Sequence, residues 1–367
     1  MHAHPDDETL STGALIASRV AAGWPVCVVT CTRGERGEVI ARPGTTSEGR
    51  AGLEGDGPAL GAYRETELAA ALVRLADDAD GAVEQVFLDA LPIADPQVTG
   101  VARASDASVR YEDSGMAWVA PGVAGPAPDS PSTAFARVPL DESAGRLAGL
   151  IRARRPAVVA TYEPGGGYGH PDHRRVHEVT VRALELAADP SWRPDGAGAA
   201  ARGGEPVAVG QRAEPWAGAE LWQAVAPADE VREARATLAA LPEASTLAAA
   251  EHLTFPPPTA PLPPLAKEDL DAWSAGSHEI GTSDYRSPDD LPIIRADGFA
   301  RADGVVRVDV RPVLGRVVGA MRAHATQVQH ATALARPEGP VAGWYALSNG
   351  VLAPILTHET YLVTAPK

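Results

Sequence analysis

The chain has 367 residues, 45% of them hydrophobic, and carries 48 acidic against 32 basic side chains for a formal net charge of −16. That length and apolar content support a sizeable core in one or two domains and exclude a globally disordered chain. The acidic balance argues against a binder of nucleic-acid backbones or anionic membranes, both of which need a basic footprint, but leaves room for a local basic pocket.

Cys27 and Cys31 cannot build a disulfide scaffold and read as reduced thiols of a cytoplasmic protein. Met1 is followed at once by His2, His4, Asp6, Asp7 and Glu8 rather than by an apolar leader, and no long uncharged apolar run follows. Neither a signal peptide nor a membrane span is expected.

In chain order, Leu10, Ala14, Leu15, Ile16 and Val20 give residues 8–23 a helical apolar face, closed by Gly23 and Pro25. Val26 to Thr30 is a short β-branched run that reads as a buried parallel strand, with a polar, glycine-rich loop after it. Helical spacing returns from about Arg64 to Leu75. Residues 76–112 read as a strand around Val86 with a surface insertion, and 120–132 as loop. Leu140 to Arg154 is an amphipathic helix, Ala157 to Thr161 a second buried strand, and Pro164 to Gly169 a glycine-rich loop. Pro171 opens a helix to about Ala188, with proline in its favoured first turn. Residues 189–215 read as a flexible segment. Trp216 to Val225 is expected as strand, Ala228 to Leu241 as helix, and the prolines between 256 and 264 as a stiff linker. Lys267 to Trp273 reads as a short helix, Val305 to Val310 as strand, Arg311 to His330 as helix and Ile355 to Val363 as a last strand. Alternating strands and helices predict an α/β fold: a Rossmann-like, mostly parallel sheet with helices on both faces. The expected division is a core over 1–188, the insertion 189–215, and a smaller C-terminal α/β portion over 216–367.

Five of the ten histidines fall in two patches, His2-Ala3-His4-Pro5-Asp6-Asp7-Glu8 and Tyr168-Gly169-His170-Pro171-Asp172-His173 with His177 one turn later. Each patch lies where a strand end meets a helix start, the usual ligand position of open α/β sheets. If Asp7 begins a helix, His4 and Asp7 can turn toward one point, and His173 can join them from the second loop. Two imidazoles and a carboxylate leave an open position, the catalytic metal pattern. Asp6 could then take a proton from water, and His170 could line the cavity and donate to the oxyanion or leaving amine. Asp172 could orient His170, and Tyr168 could point its hydroxyl at the oxyanion. Taken singly, an Asp-Asp pair at a helix start ordinarily caps that helix, and His177 ordinarily supports or faces solvent. Gly34 and Gly37 match neither dinucleotide nor phosphate-loop spacing, so nucleotide binding is not expected.

These two motifs, with Val28 to Ile40, Tyr63 to Leu68, Asp113-Ser114-Gly115-Met116 and Arg322 to Val328, resemble the zinc-dependent sugar de-N-acetylases of the PIG-L/LmbE-like family. The resemblance is close over about 1–180 and looser toward the end. It implies Zn2+ held by His4, Asp7 and His173, with Fe2+ suited to the same donor set. It implies Asp6 as base, His170 as acid or electrostatic partner, Asp172 as its orienter and Tyr168 as oxyanion donor. Arg64 and Asp113, with Glu38 and Ser114 as weaker candidates, match positions that hold sugar or inositol hydroxyls. The implied substrate is a small N-acetylglucosaminyl-inositol of mycothiol biosynthesis. A mycothiol S-conjugate, another N-acetyl amino sugar, or non-catalytic sugar binding are the alternatives. Family members carry an apolar strand before the first motif; here that strand is nearly absent, which should expose its neighbours' edges and loosen the turn that aims His4 and Asp7.

Overall fold

The computed structural model describes residues 1–78, 82–92, 110–120, 123–192, 214–256, 299–302 and 304–364. Helix α1 (Asp7–Ala21) leads to strand β1 (Val26–Thr30), and helix α2 (Gly57–Leu75) to β2 (Val83–Phe87). A hairpin of β3 (Met116–Ala120) and β4 (Val123–Pro126) precedes α3 (Leu140–Arg154), β5 (Val158–Tyr162), the one-turn α4 (Gly166–Gly169) and α5 (Pro171–Ala188). Then come β6 (Glu220–Val225), α6 (Ala228–Ala240), α7 (Pro242–Glu251), β7 (Phe299–Ala302) and β8 (Val305–Asp309). The described chain closes with α8 (Leu314–Ala323), β9 (Gln329–Glu338), β10 (Val341–Ala346), β11 (Leu352–Leu356) and β12 (His358–Thr364).

Several expectations are corrected. The helix expected over 311–330 stops at Ala323, and Gln329 already begins β9. The last strand divides into β11 and β12, because Thr357 leaves the ladder and donates its N–H to Pro340 O. The expected loop 120–132 begins inside the β3–β4 hairpin, and the glycine-rich loop before His170 contains a kinked helical turn. Helix α2 starts earlier than its apolar spacing suggested, since Asp56 caps it through Ala59 N at 3.2 Å and Pro58 sits in its first turn. Much of the stretch 76–112 expected to carry a surface insertion, most of 189–215, most of the proline run and the helix at 267–273 lie outside the described residues.

β1 pairs in parallel with β2, and β5 with β6; beyond β6 the sheet turns antiparallel, in the order β5-β6-β12-β8-β7. A separate antiparallel sheet runs β11-β10-β9. Residues 1–3 join the two parallel pairs. His2 bridges Thr30 in parallel, with His2 N donating to Val29 O at 2.9 Å and Cys31 N to His2 O at 3.0 Å. On the other side Met1 N reaches Ala160 O at 2.6 Å. The position expected to be nearly empty is thus filled at the end facing the site, while Val26, Cys27, Val158 and Val159 beyond it stay half-buried.

Two cores cover the two faces. Val28 points into one with Leu15, Leu68, Leu72, Val317 and Tyr361; the next residue, Val29, points into the other with Leu147, Ile151, Val176 and Phe135. This is the period-two alternation of a strand buried on both sides. Helices α1, α2 and α8 pack on one face and α3 and α5 on the other.

Helix α1 is broken at Thr12, whose φ of −141° and ψ of 17° are non-helical. The N–H groups freed beyond the break are taken by Glu359 of β12: Ala14 N at 2.6 Å and Leu15 N at 2.9 Å. Tyr361 also donates to Glu359, at 2.7 Å. Burial nevertheless pushes the Glu359 carboxyl up to about 7. Between its ordinary value and that point the folded state holds a proton the unfolded chain has released, so this group's contribution to stability falls as pH rises, by up to about 3 kcal/mol. Glu359→Gln keeps an acceptor for the helix and removes the titration. The variant should therefore gain stability relative to wild type between pH 5 and pH 8, read from denaturant midpoints; a pH-independent difference would refute the assignment.

Candidate metal centre

The first motif is shaped by an abrupt passage from ladder to helix. Thr32 N still bonds Ala3 O at 2.9 Å, and four residues after Ala3 the chain is helical. Asp6 makes the turn with a φ of 121° and ψ of −33°, a conformation costly for a residue with a Cβ. It occupies the N-cap position, but its side chain makes no cap bond. Instead its carboxylate lies 3.3 Å from the Arg64 guanidinium. Burial raises the Asp6 carboxyl to about 6, against the pull of Arg64.

His4, Asp7 and His173 meet in the interior. Asp7 Oδ2 accepts from His4 N at 2.9 Å and lies 3.3 Å from His4 Nδ1; Asp7 Oδ1 lies 3.3 Å from His173 Nε2. Burial alone would raise Asp7, but His173 and His4 hold it well below the usual carboxylate range. Burial disfavours a charged His4, yet Asp113, Asp172 and Asp7 around the ring hold it well above the usual imidazole range.

The donor set fits a cation. His173 Nδ1 stands 3.2 Å from Gly166 O, a contact only an N–H can make, so the ring is held with Nε2 turned toward Asp7. That atom is buried without a hydrogen-bond partner and faces a carboxylate oxygen at 3.3 Å. A positive ion is what such a pair accommodates. Among the described residues, ligand atoms of His4, His170 and His173 lie within 4.8 Å of one another, as do those of His4, Asp113 and Asp172. Asp7 spreads its two oxygens over the two imidazoles rather than presenting one to both.

His170 caps α5: its Nδ1 accepts from Asp172 N at 3.1 Å, which leaves Nε2–H as the donor. Burial, and then His4 and His173, hold this ring well below the usual imidazole range, so it is neutral. The Asp172 carboxylate faces His4 Nε2 at 3.2 Å and is held by Ser114, from its N–H at 2.9 Å and from its hydroxyl. The contact expected between the Asp172 side chain and His170 is therefore made by the Asp172 backbone. Asp113 Oδ1 faces His4 Nε2 at 3.6 Å and accepts from Gly115 N at 2.8 Å. Tyr168 stands edge-on to His173, ring centres 5.2 Å apart.

Arg64 is buried and already committed: to Gly34 O at 2.8 Å, to Pro5 O and to Asp6. Gly34 is required there, because its φ is +67° and a Cβ would fall 1.9 Å from the Arg64 guanidinium. Glu38 is exposed, and its backbone carbonyl rather than its carboxylate is engaged, by Gln327. His177 faces away, to Tyr162 O at 2.9 Å.

Sequence reasoning missed Tyr162 and Glu163. The Tyr162 ring stacks on His173 with centres 4.3 Å apart and planes within 9°, while its hydroxyl accepts from Ala3 N at 3.1 Å and bonds Asp7. Glu163 gathers the glycine loop, accepting from Gly165 N and Gly167 N at 2.5 Å each. The available signal was position: both stand at the C-terminal end of a predicted parallel strand.

Fold and cluster together define an α/β protein with imidazoles and carboxylates gathered at its strand ends around a place for a cation. The chain belongs to the PIG-L family: the family model described as GlcNAc-PI de-N-acetylase matches residues 1–184. A 1D-myo-inositol 2-acetamido-2-deoxy-alpha-D-glucopyranoside deacetylase of Kineococcus radiotolerans is 36% identical over 361 residues, covering 98% of this chain and 75% of that protein. The protein of the same name from Streptomyces avermitilis is 33% identical over 364 residues, covering 98% and 89%. Among solved structures, a deacetylase–teicoplanin complex of teicoplanin biosynthesis is 16% identical, with a TM-score of 0.40 and coverage of 99% of this chain and 97% of that one.

Tyr162→Phe keeps the stack on His173 and removes the hydroxyl shared by Ala3 and Asp7. Affinity for Zn2+, titrated against a competing chelator, should fall about tenfold with the fold intact; unchanged affinity would remove Tyr162 from the support of the centre.

Proposed function

We propose that this protein hydrolyses the N-acetyl amide of 1D-myo-inositol 2-acetamido-2-deoxy-alpha-D-glucopyranoside, releasing acetate and the free amino sugar in mycothiol biosynthesis. The observation that carries the reading is the convergence of His4, Asp7 and His173 at a buried ring nitrogen without a hydrogen-bond partner, with the Asp6 carboxylate beside them and free of cap duty. The relatives of that name, matched over almost the whole chain, support the substrate. No helix among the described residues is long and apolar enough to cross a membrane. The two unpaired thiols support a cytoplasmic setting for a small-molecule substrate.

His4, Asp7 and His173 would hold the metal, Zn2+ by preference and Fe2+ as an alternative for the same donors. When bound, such an ion acidifies water and polarises a carbonyl. Asp6 takes the proton from the attacking water and sits close enough to Arg64 to keep its carboxylate aimed. His170 presents Nε2–H, and Tyr168 its hydroxyl, to the oxygen that gains charge as the amide carbon becomes tetrahedral. The proton that Asp6 took from water passes to the amide nitrogen as the C–N bond breaks, so water and amide become acetate and amine. Asp172 acts on His4, and through its backbone on His170. Asp113 and Ser114 border the polyol side, with Arg64 shared between that side and Asp6, and Glu38 on the outer rim. In this reading residues 1–188 carry the chemistry and 216–367 complete the pocket.

Acetate release from the zinc-loaded protein tests the proposal, with a mycothiol S-conjugate as competing substrate. Asp6→Asn should lower turnover about 100- to 10,000-fold while metal content stays at the wild-type level. Preferential cleavage of the conjugate would reassign the substrate, and full activity of Asp6→Asn would reject Asp6 as base.

A further inference from the structure

Asp6 is gripped at both ends. Its carboxylate is held by Arg64 of α2, and its backbone N–H donates to Glu8 Oε2 at 3.0 Å. The second contact works like the return half of a capping box, made from N2 rather than N3: an acid in the first turn reaches back to the N-cap N–H. The reciprocal half, from the N-cap side chain, is missing because that side chain faces the site.

Glu8 is itself fixed. Its Oε1 accepts from Thr9 Oγ1 at 2.6 Å and from His324 Nε2 at 2.7 Å. Glu8 and His324 both have zero exposure, although 316 residues separate them in sequence. A carboxylate held at only one oxygen could rotate; held at both, it cannot. His324 is anchored in turn. Its N–H ends α8 on Ala320 O, and its carbonyl accepts from Gln327 N at 2.9 Å and Val328 N at 2.8 Å. Two residues on, Thr326 donates to Glu67 through its N–H at 2.8 Å and its hydroxyl at 2.5 Å. Glu67 lies on α2, three residues after Arg64. The holder of the Asp6 N–H and the holder of the Asp6 carboxylate are therefore locked to each other.

We propose that His324 is a positioning residue for the hydrolytic reaction: through Glu8 it sets the backbone of Asp6, and the Thr326–Glu67 contact keeps that setting in register with Arg64. The proposal rests on the reading of Asp6 as the base. A role confined to stability would lower the unfolding midpoint and leave turnover per folded molecule alone. A positioning role lowers kcat, leaves substrate and metal affinity, and is rescued by a side chain that restores the donor.

The experiment compares His324→Leu, His324→Gln and Thr326→Val by steady-state kinetics, Zn2+ titration and thermal unfolding of the full chain. His324→Leu should lose about 100-fold in kcat, the scale of a displaced catalytic group, with KM and metal affinity within about threefold of wild type. His324→Gln, whose amide can donate to Glu8, should recover to within about tenfold of wild type. Thr326→Val should lower kcat without touching His324, and it serves with His324→Gln if the leucine variant does not fold. Unchanged kcat in His324→Leu and Thr326→Val, glutamine no better than leucine, or a loss confined to KM or metal affinity would overturn the proposal. If wild type itself releases no acetate, the functional reading fails separately. A structure of His324→Leu then decides the positioning claim: Asp6 φ leaves the positive region if the claim holds and stays there if it does not.

Discussion

The site depends on a register set by three residues. Met1, His2 and Ala3 lie between β1 and β5 and bond to both, so the chain enters the first motif from a fixed point in the middle of the parallel layer. From there it must become helical at Asp7, and the turn forces Asp6 to a φ of 121°. Such a residue costs on the order of 1–3 kcal/mol. The surroundings that offset it are charge-assisted: Glu8 on the Asp6 N–H, Arg64 on the Pro5 carbonyl and Arg64 on the Asp6 carboxylate. At about 1.5–3 kcal/mol for a hydrogen bond to a charged group, two of these suffice. The strain is the geometric condition for turning one carboxylate into the site while the next one begins the helix.

The electrostatics of the cluster point the same way. Asp7, Asp113 and Asp172 are buried close around His4, and Arg64 lies against Asp6. On the other side His4 stands among Asp7, Asp113 and Asp172, held toward its charged form by all three. Burying carboxylates together is unfavourable unless positive charge enters. A divalent ion would supply it where a protonated imidazole now does.

Much of this was legible in the sequence, for identifiable reasons. Clustered histidines at strand-to-helix junctions need no long-range information, and Pro171 marks the start of α5 as plainly as the apolar run marks β1. In the sequence Gly34 is one glycine of a polar loop that lacks phosphate-loop spacing, and only the fold shows that the Arg64 guanidinium crowds it. Tyr162 follows directly on the strand expected over Ala157 to Thr161 and drew no role there, because nothing local distinguishes a tyrosine that fills a core from one that stacks on a site histidine. The partner of Asp172 was misassigned because His170 is near in sequence, whereas Ser114 and His4 arrive by folding. The stretch after Ala323 was read as helix since its apolar spacing continues. His324 ends that helix by spending its backbone on the turn to Val328 and its ring on Glu8, a contact no periodicity encodes.

The same contacts decide what the C-terminal portion is for. β5, which delivers Tyr162 and leads to the second motif, shares one sheet with β6, β12, β8 and β7. Glu359 of β12 caps the second half of α1, and Tyr361 bonds Ser11 O at 3.2 Å across the break. Helix α8 supplies the floor beneath α1 and α2 and ends in the loop that grips Glu8 and Glu67. A chain cut after 188 would retain every candidate ligand. It would nonetheless lose β6 from the edge of β5, the cap inside α1 and the clamp on the Asp6 backbone. The candidate ligands come from the first half of the chain, and the contacts that aim them come from the second.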